Sequence, residues 1–143
     1  MQITKSEEYG LRGLIFLAQQ PPEKVTLVSE VSKDQNIPKS FLAKIFQRLS
    51  KAGVLRSVRG ANGGFTLRKP AHEITMREII EALEGPIALS RCLLKKGECE
   101  EEKLCPLHSV WEEVQQRLVE ILDNTTMEDL ANRMIHNRRR ERR

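Results

Sequence analysis

Residues 37–67 read IPKSFLAKIFQRLSKAGVLRSVRGANGGFTL, and two hydrophobic periods meet inside that stretch. In its first half Leu42, Ile45, Phe46 and Leu49 recur every three or four residues, which predicts an amphipathic helix with one buried stripe. Pro38 stands at a first-turn position, where a missing N–H costs nothing, and Gly53 supplies the stop. That register leaves Lys39, Ser40, Ala43, Lys44, Gln47 and Lys51 facing outward. From Val54 the pattern changes. VLRSV and FTLRK are short β-prone runs separated by the turn-forming RGANGG, which predicts a hairpin.

Working outward, Thr4 and Glu7 have capping-box spacing and predict a helix from Lys5 to about Gln20, ended by Pro21-Pro22. Leu27, Val28 and Val31 predict a short helix ending near Asn36. Downstream, Thr75 and Glu78 open a helix with Met76, Ile79, Ile80 and Leu83 on one face, closed by Gly85-Pro86. Residues 86–107 read as a loop. A longer amphipathic helix follows with Trp111, Val114, Leu118 and Ile121 along one face. Thr125 and Glu128 are expected to cap a last helix carrying Met127, Leu130, Ala131, Met134 and Ile135.

The predicted fold class is mainly α with a small β-hairpin wing. Helix, helix, short turn, helix and hairpin is the order of a winged helix-turn-helix. The expected organisation is a DNA-binding domain at 1–85, a cysteine loop at 86–107, dimerisation helices at 108–137 and a basic tail at 138–143. No stretch approaches the ~20 apolar residues that span a bilayer, and MQITKSEEYG lacks the apolar run of a secretory signal. A cytoplasmic location without membrane contact is therefore expected.

The net charge of +4 conceals a segregation. Residues 1–70 hold twelve Lys and Arg against five Asp and Glu, whereas residues 71–137 hold seven against fourteen. A basic first half points to a polyanion, because phosphate contacts supply most non-specific nucleic-acid affinity. The terminal RRRERR is expected to be unstructured, and is either an addition to non-specific DNA affinity or a cloning remnant.

A recognition helix in a major groove needs an apolar back and a polar or basic front. Ser40, Phe41 and Ala43, near the start of the central helix, are expected closest to base edges, with Lys39, Lys44, Arg48 and Lys51 on phosphates. Arg59 at the hairpin tip, beside the unobstructive Gly60, is placed to enter a narrow minor groove.

All three cysteines, Cys92, Cys99 and Cys105, fall within fourteen residues, with intervals of six and five residues and His108 shortly after. In a reducing compartment a stable disulfide is not expected, and three cysteines cannot all pair within one chain. Converging thiolates call for zinc or an iron–sulfur cluster. Structural zinc sites usually draw cysteines from closer pairs, so these intervals suit the bulkier cluster better. A metal-free thiol switch remains the other option. A Cys105–His108 nucleophile lacks an evident orienting residue and oxyanion-forming turn, so no enzyme is expected.

The segment TKSEEYGLRGL, the 37–67 block, the cysteine loop and the Trp-containing helix after it together resemble the IscR/NsrR-type (Rrf-two) family of iron–sulfur transcription regulators, over almost the whole chain. The resemblance implies a homodimer on palindromic double-stranded DNA, with the apolar face of the post-cysteine helix at the dimer interface. It also implies an iron–sulfur cluster on Cys92, Cys99 and Cys105 with a non-cysteine fourth ligand. IscR-like members place a His three residues after the last Cys on a 2Fe–2S cluster, which makes His108 the candidate. NsrR-like members recruit a carboxylate from the first helix, often of the partner subunit, onto a 4Fe–4S cluster, a position Glu8 occupies here. The run CPLHSVW favours His108 and 2Fe–2S. Where IscR-like members can carry an acidic residue in the recognition helix, this chain has Ala43, so operator preference does not carry over.

Overall fold

In the computed structural model, which describes residues 2–95, 97 and 99–143, the hydrophobic stripe read in the central helix is the centre of the core. The elements are α1 (Lys5–Ala18), α2 (Val28–Gln35), α3 (Lys39–Lys51), β1 (Leu55–Val58), β2 (Gly64–Leu67), α4 (Met76–Glu84), α5 (Pro106–Asp123) and α6 (Met127–Glu141). Short 3₁₀ turns lie at Ala71–Glu73 and Arg91–Leu93. Leu42, Ile45, Phe46 and Leu49 are all buried, together with Leu14, Val31, Val54, Leu55, Ile74 and Ile79. Phe46 meets Phe65 of β2 edge to face, with ring centroids 5.3 Å apart, a geometry aromatic quadrupoles favour. The wing is thereby anchored to the recognition helix.

Close approach of α1 depends on two glycines. A Cβ on Gly13 would stand 2.7 Å from the Phe46 ring, and one on Gly10 would stand 2.7 Å from Leu83. Gly10 and Gly13 share one face of α1, and their missing side chains let α3 and α4 seat there. The α1 capping box forms as read, with Thr4 and Glu7 exchanging bonds, although α1 ends at Ala18, two residues early. Asn36 ends α2 in the left-handed conformation, at φ 52°.

The hairpin pairs Leu55 with Leu67 and Val58 with Gly64. A third, one-residue rung joins it, because Thr26 and Phe65 exchange both backbone bonds at 2.9 Å. Gly64 permits this rung. Its φ is +154°, and a Cβ there would lie 2.3 Å from the Thr26 carbonyl oxygen.

The C-terminal helices divide their roles. Met127 of α6 is fully buried in the main core, and Ala131 is buried beside it. A second rung joins Thr75 to Thr126, with Met76 N–H on Thr125 O and Met127 N–H on Ile74 O, both 2.9 Å. The α6 cap is Thr126 with Asp129, not Thr125 with Glu128. Thr125 instead turns its hydroxyl back toward α5, donating to the Ile121 carbonyl. The basic tail is also corrected: α6 runs through Arg138, Arg139 and Arg140 to Glu141. Arginine is a good helix former, and cations are favourable at a helix C-terminus.

Helix α5 packs only part of its apolar face against its own chain. Leu118, Val119 and Leu122 join Ile80 and Ile87 in a small satellite core. Trp111 is 42% exposed, Val114 44% and Ile121 65%, and Leu107 and Val110 are exposed as well. Leu107, Trp111, Val114, Leu118 and Ile121 recur at intervals of four and three residues, the seam spacing of a left-handed coiled coil. Among the described residues no helix is long and apolar enough to cross a membrane.

Candidate DNA-binding face and cysteine cavity

Helix α3 presents Lys39, Ser40, Lys44, Gln47 and Lys51 to solvent, with Ala43 half-buried. Arg59 and Gly60 are exposed at the wing tip, where Gly60 takes φ +114°. Lys39, Lys44, Lys51 and Arg59 have no ion-pair or hydrogen-bond partner among the described residues, so four cations stand unneutralised along α3 and the wing. Two expected contacts have other commitments. Phe41 stacks edge to face on Tyr9 of α1, with centroids 5.6 Å apart. Arg48 donates one N–H to the Leu83 carbonyl at the end of α4, which ties α4 to α3.

The cysteine loop leaves α4 at Gly85 and is tied to α5 by Leu89 N–H, which donates to Gln115 Oε1 at 3.0 Å. It returns at Cys105, the residue before α5, with Pro106 in the first helical turn. Cys92, Cys99 and Cys105 are free thiols. They line one cavity of about 460 Å³ together with Ser90, Arg91, Leu107, His108 and Trp111. The fold thus brings all three cysteines and His108 to one place. The Cys92 thiol lies 3.3 Å from the Ser90 hydroxyl. Among the described residues no three His, Cys, Asp or Glu side chains are close enough together to hold a metal ion.

His108 also borders a second cavity with Cys92, Glu102, Glu112, Gln115 and Gln116. Its Nε2 lies 3.5 Å from Glu102 Oε1, while its buried Nδ1 has no hydrogen-bond partner among the described residues. Glu8 is not brought to either cavity. It is half-exposed on α1 and pairs with Lys5 at 3.5 Å and Arg12 at 3.8 Å. Sequence reading missed Ser90, Glu102 and Gln115, because none belongs to a periodic pattern or a ligand spacing. Only the loop's path assembles them.

The chain matches the family model Rrf2, iron-dependent transcriptional regulator, over residues 3–133. The structure of CymR, the global cysteine regulator of B. subtilis, is 32% identical and superposes with TM-score 0.78, covering 92% of this chain and 97% of the other. The oxidized form of Staphylococcus aureus CymR is 32% identical with TM-score 0.69, covering 92% and 96%. IscR from T. potens is 27% identical with TM-score 0.75, covering 94% and 88%. The family model spans the helix-hairpin unit, the cysteine loop, α5 and the first part of α6. The chain belongs to the Rrf2 family of DNA-binding transcription regulators, whose members are not enzymes.

Proposed function

We propose that this protein is a homodimeric regulator whose occupancy of a palindromic operator is set by an iron–sulfur cluster on Cys92, Cys99, Cys105 and His108. The observation that carries the reading is the meeting of three free thiols and His108 in one cavity. Thiolates and an imidazole form a soft donor set that suits a 2Fe–2S centre, and among the described residues His108 Nδ1 has no hydrogen-bond partner. Glu8, the alternative ligand of a 4Fe–4S centre, lines neither cavity of its own chain and would reach a cluster only from the partner subunit. When bound, the cluster supplies a centre that oxidant, nitric oxide or iron supply can alter. The chain's own part is to gather the loop from Cys92 to Cys105 onto the start of α5.

The uncovered seam of α5 is assigned to the partner subunit. A dimer reads two half-sites only when its recognition helices sit about 34–36 Å apart, and the cysteine loop connects α4 of the DNA-binding unit to α5 of the seam. Loop order therefore biases that spacing. Lys39, Lys44, Lys51 and Arg59 supply the phosphate and minor-groove contacts, and Ser40 and Ala43 stand nearest the bases.

A second reading is favoured by the likeness to CymR, the global cysteine regulator of B. subtilis: a thiol switch in which two of the three cysteines oxidise reversibly. Anaerobic purification with iron and sulfide counted per chain separates the two. About two of each with structured visible bands is the expected result. Protein that stays colourless after reconstitution, and loses thiols reversibly to peroxide, would replace the cluster with the thiol switch. Zinc at the same thiols would give metal without sulfide.

A further inference from the structure

Phe41 is the one apolar side chain among the exposed residues of α3. A single exposed ring is ordinary on a protein surface, but this one is set apart by its place and its support. It lies in the first turn of α3, beside Ser40, and Lys44 three residues on is its neighbour on the helix surface. Residues at the start of a recognition helix are those that reach base edges in a major groove. The ring is 37% exposed, so part of it is open to a ligand.

The rest is held. Tyr9 of α1 meets Phe41 edge to face, with centroids 5.6 Å apart. Tyr9 in turn has Lys5 Nζ at 5.6 Å and the Arg12 guanidinium at 5.8 Å from its ring centroid, distances at which cations are attracted to an aromatic face. Arg12 also donates to the Gln35 carbonyl at the end of α2. Phe41 is thus supported from α1 and, through Arg12, from α2. A ring already fixed in the free protein loses little rotamer freedom on binding.

A phenyl ring forms no strong hydrogen bond and gains nothing from a phosphate. The apolar group that base edges offer in the major groove is the thymine C5-methyl, and Phe is among the side chains that pack on it. We infer that Phe41 is a specificity-determining residue that packs on a thymine methyl in each half-site, with Tyr9 as its positioning residue. The inference rests on the operator reading above and adds a base preference to it.

The test starts from an operator that the full chain selects out of random duplexes. Each thymine is replaced, symmetrically in both half-sites, by deoxyuridine, which lacks only the methyl. Fluorescence anisotropy at fixed salt gives the thymine-to-uracil affinity ratio for each protein. Burial of one methyl is worth about 4-fold in one half-site and about 15-fold in two. The parent is expected to show that ratio at one thymine position, and Phe41→Ala to show a ratio near one there. Each ratio is taken within one protein, so a general weakening of the fold or of phosphate contacts cancels. Where Phe41→Ala binds too weakly to measure, Phe41→Gln, which keeps bulk against Tyr9, serves the same comparison. Tyr9→Phe keeps the ring pair and should keep the ratio, whereas Tyr9→Ala should lower it at the same position.

A ratio near one at every thymine in the parent, or a ratio that persists in the Phe41 variants, would overturn the proposal and leave the operator reading intact. A Tyr9→Ala ratio equal to that of the parent would remove Tyr9 from it. Selection that yields no preferred sequence would overturn the operator reading and this inference together.

Discussion

Replacing Lys44 with Ala tests the DNA face most directly, and Arg48→Ala is its internal control. Lys39, Lys44, Lys51 and Arg59 are exposed and unpartnered among the described residues. Counting one neutralised backbone charge for each, the groove-inserted Arg59 included, the proposed dimer neutralises about eight, and log K then falls against log salt with a slope of about −7. Between 50 and 200 mM salt that is a loss of about four decades in affinity. Lys44→Ala removes two contacts per dimer and should bring the slope to about −5, similarly on specific and random duplex. Arg48 is only four residues away but donates to the Leu83 carbonyl. Its removal should leave the slope near −7 and instead destabilise the fold by about 1–3 kcal/mol, as loss of a charge-assisted bond to a helix end does. The assay is fluorescence anisotropy over a salt series, paired with urea unfolding of each variant. A slope unchanged by Lys44→Ala, or one reduced by Arg48→Ala, would refute the assignment of these two cations.

Three further outcomes are expected. Gly64→Ala should lower stability by about 2–4 kcal/mol in denaturant titration, because it adds backbone strain to a Cβ 2.3 Å from the Thr26 carbonyl; a loss under about 1 kcal/mol would mean that the Thr26–Phe65 rung yields freely. Ile121→Asp, at a site 65% exposed in the single chain, should leave the monomer folded and weaken dimerisation at least about 100-fold in sedimentation, since two buried side chains are lost per dimer. An unchanged dimer would place the interface elsewhere. The Asp129 carboxyl is held below the usual carboxylate range by the Thr126 backbone N–H and then by its hydroxyl. A depressed folded pKa means that the contribution is complete above the usual carboxylate pKa and disappears as pH falls through the lower folded value. The Tm difference between the parent and Asp129→Ala should therefore be constant near neutrality and shrink only below about pH 4. A difference that shrinks already between pH 7 and 5 would contradict the Thr126–Asp129 bond.

How legible the molecule was follows from the range of the forces involved. Local periodicity determined the helices and the hairpin: the stripe Leu42, Ile45, Phe46 and Leu49 can be buried only on a helix, and RGANGG can only turn. Three cysteines within fourteen residues determined that a thiol-rich site exists. Tertiary structure decided what depends on contacts distant in sequence. Whether Thr125 or Thr126 caps α6 rested on the Ile121 carbonyl taking the first hydroxyl. Arg48 looked like its neighbouring lysines until the end of α4 arrived to accept its N–H. The RRRERR run read as a short unstructured tail, yet α6, docked through Met127, carries it as helix to Glu141. Glu102 was invisible because a single carboxylate in an acidic loop has no period. Only the fold brings its Oε1 to 3.5 Å from His108 Nε2.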